Sequence, residues 1–409
     1  MKVLEGKVWI TGQGLTNACV GINDDGYIGA VKKILKGDEH TTTSDVILPA
    51  ATDMHVHFRD PGNPEKEVWA TGSAAAACGG VTAVVDMPNT TPLTNSPTNF
   101  TDKNNRALSN SVVDFGLGFY AYPGISKESW FTKTYPAFWK LYPYNFSWPE
   151  YQSTVNEVIS NSSRPIVIHG EHPDHISYET LSALSDHTHN RSNAEKLCLE
   201  GMPNSSSLHV AHLSTQEGLN VLPSQATSEV CPHHLLLNLS CELGIECKVD
   251  PPLRERNDNT ALYNALRNGK IDILASDHAP HLMSEKVSSD PPSGIPGVET
   301  MIPLMLNEVA EDRLSLDRLV SAMAEKPAER LGIQRGKLIP GNPADIITVD
   351  LKNKTKISLE NLHSKANWTP FENWDAIFPS RVFRRGQIIA KDGVLQEENG
   401  GVSIFPPTL

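Results

Sequence analysis

Eight short β-rich runs recur along the chain, at residues 47–57, 81–86, 112–121, 138–142, 165–169, 208–212, 228–231 and 271–277. Most end in or near a polar residue, and helix-like or loop sequence follows them, as repeated βα units require. Their span is close to the ~250 residues typical of a closed (β/α)8 barrel, which favours that architecture over an open doubly wound sheet. The expected fold class is therefore α/β, a TIM-type barrel.

Some of the connecting helices are legible. Ile302, Met305, Leu306 and Val309 repeat at i, i+3, i+4, i+7, and Leu316, Leu319, Val320 and Met323 do the same. Ala261, Leu262, Ala265 and Leu266 mark a third helix, with Gly269 placed to end it just before the eighth run. Residues 1–47 and 336–409 are rich in turn signals and short β patterns such as Ala344-Asp345-Ile346-Ile347-Thr348-Val349. The expected division is a small β-domain formed by these two terminal segments, with the barrel at residues 48–335 between them. The stretch 173–193 carries no clear pattern.

Charge narrows the choice of partner. Of 409 residues, 35 are Lys or Arg and 48 are Asp or Glu, giving a net charge of −13 that would repel nucleic acid or an anionic membrane. A small-molecule substrate is the expected partner. No window approaches the ~20 consecutive apolar residues of a membrane span, and Glu5 stands where a secretory leader would have its apolar run. The expected location is the cytoplasm. The six cysteines (Cys19, Cys78, Cys198, Cys231, Cys241, Cys247) form no Cys-x-x-Cys pair and are expected as free thiols, and sequons such as Asn161-Ser162-Ser163 are accidental in that compartment. Gly12-Gln13-Gly14 lacks the third glycine of a dinucleotide fingerprint, and no phosphate loop occurs, so no nucleotide cofactor is implied.

The residues with chemistry sit at the ends of the β runs, where barrel active sites form. His55 and His57 alternate along the first run, so both imidazoles point the same way and suit a metal ion. His169 closes the fifth run, His212 the sixth, and Asp277 the eighth. Four histidines and an aspartate could hold two divalent ions, provided that an anion bridges them. Lys140, near the end of the apolar fourth run, is the candidate: as a cation it is a poor ligand, but CO2 added to its neutral amine gives a two-oxygen carbamate. Arg59, two residues past His57, offers a planar fork for a substrate carboxylate.

These residues lie in motifs that resemble the dihydroorotases of the amidohydrolase superfamily, from about Ile47 to Leu306. The motifs are His55-Val56-His57-Phe58-Arg59-Asp60-Pro61-Gly62, Met87-Pro88-Asn89-Thr90, Trp139-Lys140-Leu141-Tyr142, Ile168-His169-Gly170-Glu171, Val210-Ala211-His212, Glu229-Val230-Cys231-Pro232-His233-His234, Ala275-Ser276-Asp277-His278-Ala279-Pro280-His281 and Pro296-Gly297-Val298-Glu299-Thr300. The resemblance implies two Zn2+ per subunit. His55, His57 and Asp277 would hold one and His169 and His212 the other, with N6-carboxylated Lys140 and a hydroxide as bridges. It implies that Arg59, Asn89 and His281 contact the substrate carboxylate, and that Asp277 is the catalytic acid and base. The implied reaction is the reversible cyclisation of N-carbamoyl-L-aspartate to (S)-dihydroorotate in de novo pyrimidine biosynthesis. A homo-oligomer and an association with aspartate carbamoyltransferase are further expectations.

Two other readings compete. An allantoinase or a dihydropyrimidinase/hydantoinase shares the metal ligands but usually lacks an arginine matching Arg59, and an inactive scaffold would have no need for the full ligand set. His233, His234 and His278 are expected as supporting residues rather than ligands. Asp250 stands where the family commonly has Asn or Arg before proline, and its charge could weaken binding of an anionic substrate or signal another specificity. The segment 142–151 has no counterpart among the family motifs, and a lid is one reading of it.

Overall fold

The computed structural model describes residues 1–144, 146–176 and 183–405. Eight parallel strands follow one another around a ring in chain order: Ala51–Val56, Val81–Asp86, Asp114–Tyr120, Phe138–Leu141, Ile166–His169, Leu208–Ala211, Thr227–Val230 and Ile273–Leu274. Val56 bridges His278 in parallel, and the His57 N–H donates to the His278 carbonyl at 2.7 Å, so the last strand's extension meets the first. The (β/α)8 reading holds. Every residue of the second strand, Val-Thr-Ala-Val-Val-Asp, is buried, as a parallel strand covered on both faces should be.

Side-chain alternation positions the site. Phe138 and Val167 precede Lys140 and His169 by two residues on the same strand faces, and they pack in one cluster with Met54, Val85 and Ile273. That apolar layer fills the barrel beneath the polar strand ends. Outside, the helix Arg256–Arg267 ends with Gly269 at φ 78°, the left-handed conformation expected for a residue that stops a helix. The helix Val298–Ala310 spans its predicted apolar stripe.

Three details depart from the sequence reading. The run 47–57 divides at Ala50, because Glu39–Pro49 pairs in another sheet before Ala51–Val56 enters the barrel. The stripe through Met323 changes winding: helix Leu316–Val320 passes into a π turn at Ser321–Glu325, then into Lys326–Leu331. Pro327 has no N–H for the carbonyl four residues back, which favours a wider turn there. Cys241 and Cys247, expected as free thiols, are joined as a disulfide where a short turn at Gly244–Cys247 folds the chain back. Cys19, Cys78, Cys198 and Cys231 are free and buried.

The other large sheet takes strands from both ends of the chain, in the order Val394–Leu395, Gln387–Lys391, Arg381–Arg384, Ile346–Val349, Glu39–Pro49, Lys2–Ile10, Gly14–Ile22, Ile28–Lys32. The two halves meet where Ile347 pairs with Leu48. Asp114, at the start of the third barrel strand, is paired with both Arg335 and Arg385, which ties this sheet to the end of the barrel away from the polar cluster. Among the described residues, no helix is long and apolar enough to cross a membrane.

Candidate active site

Three of the sequence-predicted site residues sit at backbone positions that L-residues rarely take: Arg59 has φ 59°, His212 φ 37° and Asp277 φ 47°. Each follows the end of a barrel strand, and the left-handed turn costs about 1 kcal/mol or more per residue. Such strain persists only where the surroundings hold it, and here it swings three side chains over the barrel mouth.

The cluster they join is compact. Asp277 Oδ1 lies 3.2 Å from Nε2 of His55 and 3.2 Å from Nε2 of His57. The His55 and His212 rings are 5.1 Å apart, and the His169 and His212 rings 4.6 Å. His55 donates from Nδ1 to Glu229 Oε1 at 2.5 Å, and His57 donates from Nδ1 to Asn89 Oδ1 at 2.7 Å. Those bonds leave the Nε2 lone pairs of both rings facing Asp277. His169 instead donates from Nε2 to Glu171 Oε2 at 2.6 Å, so its lone pair is on Nδ1. Burial pushes His55, His57 and His212 below the ordinary imidazole range, which keeps them neutral and able to ligate.

Lys140 is fully buried, and its Nζ has no hydrogen-bond partner. Burial lowers its pKa to about 8, against the opposing pull of Glu229 and Asp277. An unpartnered buried ammonium is costly, so this amine is suited to losing its proton or its charge. Burial raises Asp277, with His55 and Lys140 pulling it the other way.

A cavity of about 150 Å³ opens over the cluster, and Arg59, Asn89, Tyr142, Tyr144, Asp250 and Ser293 are among the residues of its wall. Arg59 is anchored by a bond from Nε to the Pro280 carbonyl at 3.2 Å and by contact of Nη2 with His281 Nε2 at 3.1 Å. His281 stands behind Arg59. Its Nδ1 lies 3.2 Å from Lys66 Nζ and its Nε2 3.1 Å from the Ser293 carbonyl, and burial, with Arg59 and Lys66 beside it, lowers its pKa to about 3. It is therefore a neutral prop for the guanidinium.

The charge of Asp250 is compensated by residues that no motif marks. Arg191 Nη1 lies 3.0 Å from Asp250 Oδ1 and 2.7 Å from Glu171 Oε2, and His187 Nε2 lies 2.8 Å from Asp250 Oδ1. Against its burial penalty, Arg191 and His187 hold the Asp250 carboxyl well below the usual range. Against the same penalty, Arg191 and His169 hold Glu171 down to about 2. Glu171 and Glu229 stand in recognised motifs, but their role as the carboxylates behind His169 and His55 depends on packing. Arg191 and His187 come from the stretch 173–193, of which 177–182 lie outside the described residues. Of the segment 142–151, Tyr142 and Tyr144 reach the cavity, while Asn145 lies outside the described residues. His278 contributes to barrel closure, with Nε2 3.2 Å from Glu67 Oε2.

Comparison with known proteins gives a consistent picture. Residues 132–389 match the amidohydrolase family, and residues 44–110 match the family described as dihydro-orotase-like. A dihydroorotase of Methanosarcina mazei is 36% identical, with 88% of this chain and 89% of that protein aligned. One of Thermoplasma volcanium is also 36% identical, over 89% of each. Among solved structures, an L-hydantoinase (dihydropyrimidinase) from Arthrobacter aurescens superposes with a TM-score of 0.89 at 25% identity, covering 97% of both chains.

Proposed function

Because the chain belongs to the amidohydrolase family, in its dihydroorotase-like branch, we infer that it interconverts N-carbamoyl-L-aspartate and (S)-dihydroorotate, a step of de novo pyrimidine biosynthesis. The observation that carries this reading is the pairing, in one cavity, of the His55–His57–Asp277 cluster with the guanidinium of Arg59. Ring-opening of an uncharged substrate needs the first. Only a substrate with a carboxylate needs the second.

The donor set fits two divalent ions. His55, His57 and Asp277 offer ligand atoms within 4.8 Å of one another, and Lys140 Nζ and His212 Nδ1 are buried without partners. His55, His57 and Asp277 would hold one ion, and His169 and His212 the second. Lys140 would bridge them once its neutral amine has formed an N–C bond to CO2 and released a proton to water. Nitrogen and oxygen donors in this number suit zinc. Bound there, the two metal ions would supply a nucleophilic water near neutral pH and polarise the amide carbonyl.

The remaining work falls to the chain's own residues. Asp277, pushed upward by burial, takes the proton of the attacking water and delivers it to the leaving ring nitrogen. In the cyclising direction it takes the proton of the carbamoyl nitrogen. Arg59 binds the substrate carboxylate and so sets which face of the ring meets the cluster. Asn89 spends its carbonyl oxygen on His57, which leaves its amide group as a donor to the same carboxylate.

The test is ring opening followed by ultraviolet absorbance, in zinc and bicarbonate, for dihydroorotate beside dihydrouracil, hydantoin and allantoin. Turnover of dihydroorotate alone is expected. Turnover confined to an uncharged ring would transfer the assignment to a hydantoinase-type activity, and silence on all four with two ions bound would make the barrel a scaffold.

A further inference from the structure

A second group of buried ligand-type side chains stands next to the cluster. Cys231 follows the seventh barrel strand, and the short helix Pro232–Leu236 starts one residue later, carrying His233 and His234. One ligand atom from each of the three lies within 4.8 Å of the others. All three side chains are buried.

The hydrogen bonds around this group are incomplete. His234 donates from Nε2 to the Pro251 carbonyl at 3.0 Å, which puts its lone pair on Nδ1, and that buried Nδ1 has no partner. His233 Nε2 is likewise buried without a partner. The two rings lie 4.4 Å apart, tilted by 55°. Buried polar atoms are nearly always paired, so two orphan ring nitrogens in adjacent residues, in a group that also holds a buried thiol, need an explanation.

We propose that Cys231, His233 and His234 bind a third metal ion, of the zinc class, distinct from the pair held by the histidines and Asp277. One ion held by a ring nitrogen of each histidine and by the sulfur would give this buried group the partner it lacks. Two imidazoles and a thiolate are donors of the softness that zinc and cobalt accept. Ligation displaces the thiol proton to water, so the ion meets one unit of negative charge from Cys231. The Glu229 carboxylate, two residues earlier in the chain, adds a second nearby. The ion would pin the end of the seventh strand, and with it the carboxylate that orients His55.

The readout is sulfur, because none of the six residues assigned to the ion pair contains it. In the zinc-loaded full chain, X-ray absorption should show a sulfur neighbour at about 2.3 Å, with three zinc ions per chain by elemental analysis. Cobalt loading should give thiolate-to-metal charge-transfer absorption. Cys231→Ser should lose that absorption and one ion while keeping two. His233→Gln tests the site from a second residue if Cys231→Ser does not fold. Cys78→Ser, at the separate group with Glu299 and His363, should keep the absorption. Two ions with no sulfur neighbour in the wild type, or a sulfur signal that survives Cys231→Ser and vanishes in Cys78→Ser, would overturn the proposal.

Discussion

Glu229 accepts a hydrogen bond from Nδ1 of His55 at 2.5 Å, joining the seventh and first barrel strands through the floor of the site. His209 approaches the other oxygen of the same carboxylate at 3.1 Å. The carboxylate therefore sets which nitrogen of His55 faces Asp277. Glu229→Gln should weaken metal binding about 10–100-fold, checked by competition with a chelator, while the folded state persists in circular dichroism. Unchanged affinity would show that the carboxylate does not orient a ligand.

Lys140→Ala should remove metal and most activity, with partial rescue by small carboxylic acids that replace the missing bridge. Metal analysis and ring-opening rates with and without added acetate check this. Full activity in that variant would end the bridging assignment.

Replacing Arg59 tests recognition separately from ligation. Hydrogen bonds to charged groups contribute about 1.5–3 kcal/mol, so Arg59→Gln should lower kcat/KM for dihydroorotate by roughly ten- to a hundredfold. Metal content should not change. Loss of metal in parallel would mean that Arg59 supports the ligand cluster instead.

Asp250 is paired with Arg191 and His187 and so presents little net charge to the cavity. Asp250→Asn should change KM for an anionic substrate by less than a factor of about three, because a charge already compensated has little left to repel with. It should destabilise the fold by about 1–3 kcal/mol through the loss of charged hydrogen bonds, read from denaturant unfolding. A large fall in KM would mean that the carboxylate does repel substrate.

Glu171 gives a pH dependence of defined sign. Its carboxyl is held down to about 2 in the folded chain, below the ordinary ~4.3 of an exposed glutamate. The unfolded state therefore binds more protons between these values. The stabilisation is complete above that window and is lost as pH falls through it toward 2. For the metal-free protein, unfolding free energy should fall by about 3 kcal/mol across this range from this group. Glu171→Gln should flatten the slope; an unchanged slope would place the acid sensitivity elsewhere.

Much of the barrel was legible because its signals are local. The second run of Val, Thr and Ala ending in Asp86 reads as a buried strand from composition alone, and the helix closed by Gly269 reads from its stripe and its stop. The division at Ala50 was not legible, since both sides of it favour extended chain and only pairing partners distinguish them. The π turn at Ser321–Glu325 was hidden for a related reason: an apolar stripe does not record one additional residue in a turn.

The same division holds for the site. His55 and His57 two residues apart, and His169, His212 and Asp277 at the ends of the fifth, sixth and eighth runs, could be recognised in the chain itself, because strand alternation and barrel polarity convert spacing into direction. Tertiary structure alone decided which carboxylate orients which imidazole, that His281 props Arg59, and that Arg191 joins Glu171 to Asp250. The pairs His55–Glu229, Arg59–His281, Glu171–Arg191 and Arg191–Asp250 lie from 20 to 222 residues apart in the chain. Their strength depends on distance and burial in a packed barrel, and neither quantity exists until strands remote in sequence are side by side.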